Sequence, residues 1–196
     1  MKTTLFIYAF MVLGFLSSCR SDDPTPVPVV YPEENSLSGL MTSTGFDQKN
    51  TDMGIVGTYF EYGMVFSPSY NGVLKSFVIN IPKAESNVRI TLWDTTTMTI
   101  VHSLTIASVA ANTTTYATPS GPIALAKDKK YTLTMNTYSY HYRERNDGAS
   151  ITYPIAVGSI VYHNYVWDSG SAQVYPASTA NFYYAGDLSF IYQRTN

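Results

Sequence analysis

Apolar and polar residues alternate along most of this chain. Val88, Ile90 and Leu92 alternate with Arg89 and Thr91. Ile100, His102, Leu104 and Ile106 make the next such row. Tyr131, Leu133 and Met135 alternate with Thr132 and Thr134, and Leu188, Phe190 and Tyr192 with Ser189 and Ile191. A period of two is the signature of a strand with one face turned to a core and the other outward. Turn residues separate the rows: Ser67-Pro68 with Asn71-Gly72, then 82–87, 94–97, 126–130, 146–148 and 168–171. The pattern predicts about eight to ten strands of five to nine residues. No stretch carries a 3.6-residue period, so no helix is predicted. Many short strands at this spacing indicate an all-β fold: a single antiparallel β-sandwich of jelly-roll or immunoglobulin-like kind.

The N-terminus breaks this pattern. Lys2 precedes a continuous apolar run, Leu5 to Leu16. That run is shorter than the roughly 20 residues a spanning helix needs and fits a cleaved export signal over residues 1–18. Leu16-Ser17-Ser18-Cys19 resembles the bacterial lipobox, whose cysteine is acylated before cleavage. Cys19 is the only cysteine in the chain, and a lone cysteine in an exported protein calls for such an explanation. The resemblance implies lipidation of Cys19 and a membrane as partner through that lipid; a second acyl chain is what makes such an anchor stable. Arg20-Ser21-Asp22-Asp23 resembles the acidic signal that sends Bacteroidetes lipoproteins to the outer face of the outer membrane. Pro24, Pro26, Pro28 and Pro32 favour an extended, semi-rigid spacer. Residues 19–38 therefore read as lipidated cysteine and tether, and residues 39–196 as one domain.

Composition narrows the function classes. Charged residues make up 13% and the net charge is −2. There is no basic cluster to neutralise phosphates, so no nucleic acid partner is expected. Without cysteine pairs, stability must come from the core and the ladders. Tyrosine, with 17 copies, is the enriched residue and suits pleated surfaces.

The segments Gly63-Met64-Val65-Phe66-Ser67-Pro68, Asn71-Gly72 and Ile90-Thr91-Leu92-Trp93-Asp94, with a strand start at Lys130-Tyr131, resemble an uncharacterised β-sandwich domain of bacterial surface proteins. Tyr140-His141-Tyr142-Arg143, Tyr153-Pro154-Ile155 and Asn181-Phe182-Tyr183-Tyr184 resemble its branch in Bacteroidetes cell-surface lipoproteins. The likeness spans about residues 40–193. It implies the sandwich fold and no particular activity.

The stretch 138–167 holds the candidate chemistry. On a regular strand Tyr138, Tyr140 and Tyr142 share one face, with Ser139, His141, Arg143 and Arg145 on the other. His163, Tyr165 and Trp167 share a face further on, with Tyr162 and Asn164 opposite. Aromatic rings with polar tips offer an apolar plane and a hydrogen-bonding handle, which suits the C–H faces and hydroxyl edges of a sugar. Tyr140, Tyr142, Arg143, His163, Tyr165 and Trp167 are the candidate ligand contacts. The competing assignment is that these tyrosines line the sandwich interior. Trp93-Asp94 reads as a packed aromatic followed by a side-chain-capped turn.

Enzyme chemistry finds little support. There is no Gly-x-Ser-x-Gly elbow, and nothing pairs Glu61, Glu85, Glu144 and Asp187 as a glycosidase requires. His102, His141 and His163 lack metal-ligand spacing, and Asp147-Gly148 and Asp168-Ser169-Gly170 read as turns rather than calcium loops. No catalytic residue, metal or cofactor is expected. The reading is a surface-anchored lipoprotein of the outer membrane with a non-enzymatic binding domain for a glycan or other surface polymer. The alternative is a structural accessory subunit docked on an outer-membrane protein complex.

Overall fold

The structure, a computed structural model, describes residues 29–50 and 55–195. The export signal, Cys19 and the tether as far as residue 28 lie outside the described residues. The chain runs β1 (Glu33–Glu34), α1 (Leu37–Thr44), β2 (Gln48–Asn50), β3 (Phe60–Pro68) and β4 (Gly72–Asn80). It continues through β5 (Glu85–Asp94), β6 (Thr99–Val109), β7 (Thr115–Ala117), β8 (Ile123–Leu125), β9 (Tyr131–Thr137) and β10 (Tyr142–Glu144). It ends with β11 (Ile155–Val157), β12 (Ile160–Ser169), β13 (Ser178–Ala180), β14 (Tyr183–Ala185) and β15 (Asp187–Arg194).

All pairings are antiparallel. One sheet runs β11-β12-β3-β9-β5-β6, with β13 also on β12. The second runs β1-β15-β4-β7, with β8 also on β4. A small third sheet, β14-β10-β2, completes the fold. The two large sheets face each other: Phe66 of β3 meets Phe190 of β15 at 4.5 Å between ring centres, and Phe77 of β4 stacks on His102 of β6 at 6.1 Å. The protein is thus an all-β sandwich of open antiparallel sheets. Val88, Ile90 and Leu92, Tyr131, Leu133 and Met135, and Leu188, Phe190 and Tyr192 all point into the shared core, as the alternation predicts.

Several expectations need correcting. Among the described residues there are fifteen strands, not eight to ten: seven have 7–11 residues, and the rest are pairings of two or three. Such short pairings form where a loop crosses a neighbour's edge, which leaves no local period to read. The helix α1 was not expected. Its two turns bury Leu40 and Thr44 and stop at Gly45, whose φ of 68° suits glycine. The domain also begins before residue 39. Glu33 and Glu34 pair with Gln193 and Tyr192, and the Ser36 hydroxyl bonds that of Tyr162. Ile100 leaves its row because the β5–β6 register shifts between Leu92 and Trp93; it is 48% exposed.

The outward row of the large sheet is not wet. Glu61, Thr91, Trp93, Thr132, Thr134 and Asn136 are buried beneath residues 170–177. Gln173 Nε2 donates to Thr91 Oγ1 at 3.0 Å and Ser103 Oγ at 2.9 Å. The Tyr175 hydroxyl bonds Thr132 at 2.9 Å, and Asn136 Nδ2 donates to the Gly170 carbonyl at 2.9 Å. Trp93 Nε1 donates to Thr134 at 2.9 Å, so this ring is packed. Asp94 accepts from the Thr96 and Thr97 amides at 2.9 and 3.2 Å, as its turn role requires.

Burial raises the Glu61 carboxyl pKa above its ordinary value, with hydrogen bonds from Thr134 and Arg89 opposing. Burial raises Glu85 likewise, opposed first by Thr137. Raised groups hold their protons in the folded state at pH values where the unfolded chain has lost them, so stability falls as pH rises through that window. Glu61→Gln is expected to flatten this slope, leaving the part due to Glu85. Urea unfolding midpoints measured from pH 4 to pH 8 check it; an unchanged slope refutes the assignment to Glu61.

Candidate functional site

Where the small sheet meets the end of the large one, seven aromatic rings and Ala185 line a pocket of about 190 Å³. β3 contributes Phe60 and Tyr62, one period apart. The crossing before β10 contributes Tyr140, and β10 itself Tyr142. β12 contributes Tyr165 and Trp167, and β14 Tyr183 and Ala185. The rings brace one another. Tyr140 meets Phe60 and Tyr62 edge-on at 5.9 and 5.1 Å. Tyr183 stacks on Tyr142 at 4.9 Å and meets Tyr165 edge-on at 5.2 Å. Such pairs add about 0.5–1.5 kcal/mol beyond burial and hold the walls in place. At Gly186 φ is +79°, and a Cβ there would lie 2.1 Å from the Tyr62 ring. Only glycine lets that ring take its place in the wall.

The pocket's chemistry is neutral. No Asp, Glu, Lys, Arg or His lines it. Burial raises the phenol pKa values of Tyr140, Tyr142 and Tyr165. Tyr183 is pushed up to about 12 by burial, with Tyr142 and Tyr140 adding to it. All four are therefore uncharged at physiological pH. Their hydroxyls make no hydrogen bond to protein among the described residues. The site thus offers apolar planes and four uncommitted donor–acceptor groups.

Four of the six sequence candidates, Tyr140, Tyr142, Tyr165 and Trp167, meet in this pocket. Arg143 does not. It lies on the other face of β10, and its Nε and Nη2 donate to Asp187 at 2.6 and 2.7 Å. That bidentate pair ties β10 to the start of β15, and Asp187 is the largest cause of the raised Arg143 pKa. His163 does not share the face of Tyr165 either. The β12–β3 register shifts between Tyr162 and Asn164, and this one-residue bulge turns Tyr162 and Tyr165 both inward. His163 faces away and holds Ser67 Oγ through Nε2 at 2.8 Å. Burial lowers its pKa, and Lys130 adds to this.

Sequence reasoning missed Phe60, Tyr62 and Tyr183. Phe60 and Tyr62 alternate like any inward pair, so nothing local marks them as lining rather than core. Residues 138–141 are not a strand. Tyr138 instead packs edge-on against Tyr59 at 5.8 Å, and His141 is buried with its Nε2 against Asn80 Oδ1 at 3.0 Å. Among the described residues no three His, Cys, Asp or Glu side chains are grouped to hold a metal ion, and no helix is long and apolar enough to cross a membrane. Asp147 is engaged by Arg145 at 2.8 and 2.5 Å, and Asp168 accepts from the Ser169 amide at 2.8 Å. Comparison of the chain with models of known protein families and with curated proteins returned no match.

Proposed function

We propose that this chain is an outer-membrane lipoprotein, anchored through lipid on Cys19 and exposed at the cell surface, whose sandwich is a non-enzymatic binding domain for a glycan or another surface polymer. Its kinship on this reading is with the Bacteroidetes surface lipoproteins it resembles. One observation carries the binding reading: residues far apart in the chain, from Phe60 to Tyr183, build one aromatic pocket with uncommitted hydroxyls. A ring with an apolar face can stack on these walls while its polar edge meets the phenols. The lining has no carboxylate pair and no imidazole, which favours binding over catalysis.

The test is a glycan array read with the detergent-solubilised full-length protein, followed by titration of the best ligand. Tyr142→Ala and Trp167→Ala are each expected to weaken binding about tenfold or more, a loss of about 1.4 kcal/mol, with unchanged circular dichroism. Wild-type affinity in both folded variants would remove the pocket from the function.

A second reading, an accessory subunit of an outer-membrane protein complex, is favoured by one feature. β6 is the last strand of the large sheet, and Met98, Ile100 and Val101 are exposed at its start. An open edge with apolar residues suits docking. Detergent extraction from native cells separates the two readings. A stoichiometric membrane-protein companion supports docking, and a lone lipoprotein supports the binding module.

A further inference from the structure

A second depression lies on the other face of β12. The bulge presents His163 and Asn164 to it, and Thr152, Thr179 and Asn181 complete a polar lining around about 480 Å³. Phe182 forms part of the wall and is 49% exposed. Its ring is steadied edge-on by Tyr183 at 4.8 Å. Tyr183 in turn belongs to the aromatic pocket, so the two sites sit back to back across consecutive residues of β12 and of the Phe182-Tyr183 step.

The lining selects by chemistry. It contains no Asp, Glu, Lys or Arg, so an ionic ligand would give up hydration without gaining a countercharge. A wholly apolar ligand would strand two amides, two hydroxyls and an imidazole. The side chains of Thr152, Asn164, Thr179 and Asn181 make no hydrogen bond to protein among the described residues. His163 is oriented by Ser67 and kept neutral by burial, with Lys130 assisting. Tyr153 also lines this space, with its hydroxyl enclosed away from it. A flat apolar ring beside several neutral donors and acceptors fits a molecule with one C–H face and many hydroxyls.

The geometry points to a second binding site, for one neutral sugar residue, formed by Asn164, Asn181, His163 and Phe182. It rests on the reading that the ligand is a glycan, and it would let one domain grip two points of the same polymer, raising avidity without further contacts.

The experiment titrates ¹⁵N-labelled full-length protein in detergent with neutral oligosaccharides of glucose, mannose, galactose and xylose, and with oligouronates. Neutral sugars are expected to shift the side-chain amide signals of Asn164 and Asn181. Phe182→Ala, at an exposed position, should weaken that binding at least fivefold while leaving shifts around Tyr140 and Tyr165 in place. Shifts around the aromatic pocket alone would overturn the second site and leave the proposed function standing. Shifts in the cleft alone would support the second site and remove the aromatic pocket. No shift in either would sink both. Oligouronates binding the cleft as well as neutral sugars would overturn the ligand class.

Discussion

Gly63→Ala is expected to destabilise the domain by about 3 kcal/mol, at the upper end of overpacking costs. Gly63 lies in β3, between β9 and β12, opposite Thr134 on one side and Val166 on the other. A Cβ at this position would meet the Leu133 carbonyl oxygen at 1.8 Å, the Leu133 carbonyl carbon at 2.8 Å and the Thr134 Cα at 2.9 Å. All three are backbone atoms of the neighbouring strand, so no rotamer change relieves the contact. β3 and β9 must part, and the ladder they share weakens along its length. The same strand supplies Phe60 and Tyr62 to the aromatic pocket, so ligand binding should fall with stability. The urea midpoint should drop by about 1–3 M, given slopes of about 1–3 kcal/mol per molar. Gly121→Ala is the control, since a Cβ there meets nothing within 4 Å. A Gly63→Ala midpoint matching the wild type would show that the two strands can separate freely and would refute the close-approach argument.

Arg89→Met is expected to cost about 3–5 kcal/mol at pH 8, the range for breaking a buried pair from one side. Glu61 is 1% exposed and receives Arg89 Nη2 at 2.8 Å. Arg89 also donates to the Ser171 and Ala172 carbonyls at 3.0 and 3.2 Å, which fastens the covering loop to the sheet. Methionine fills much of the stem's volume and supplies neither charge nor donors. Burial already raises the Glu61 pKa, and losing the cation raises it further. The folded state then keeps the proton over a wider window, so the penalty shrinks toward pH 5 and grows as pH rises. Adding Glu61→Met should recover most of the lost stability, because no buried charge is then left without a partner. Equal destabilisation at pH 5 and pH 8 would show that the ion pair is not its source.

The candidate site shows how sequence and tertiary structure divide the work. The crowding of Tyr140, Tyr142, Tyr165 and Trp167 into one stretch of chain is visible without coordinates, and they do share a pocket. Their partners Phe60, Tyr62 and Tyr183 are not recognisable, because pocket membership depends on which strands become neighbours. Arg143 reads as a ligand contact until β10 is laid beside the start of β15, where Asp187 accepts from its Nε and Nη2. His163 reads as a companion of Tyr165 until the bulge in β12 reverses the alternation beneath it.

The sequence by itself determined the class of fold and the inward rows of β5, β9 and β15, because a period of two follows from the geometry of a single strand. It likewise determined the Asp94 turn, which is closed by atoms within three residues of one another. Only the tertiary structure decided which outward rows stay wet. Thr91, Thr132 and Thr134 look solvent-facing along their strands, yet residues 170–177 return to cover them, bringing Tyr175 from 43 residues away onto Thr132 and Gln173 from 82 residues away onto Thr91. The physical reason is one of range. Alternation is written in consecutive dihedral angles, whereas bulges, coverings and the walls of a pocket are settled by free energies of contact between segments that the chain order keeps apart.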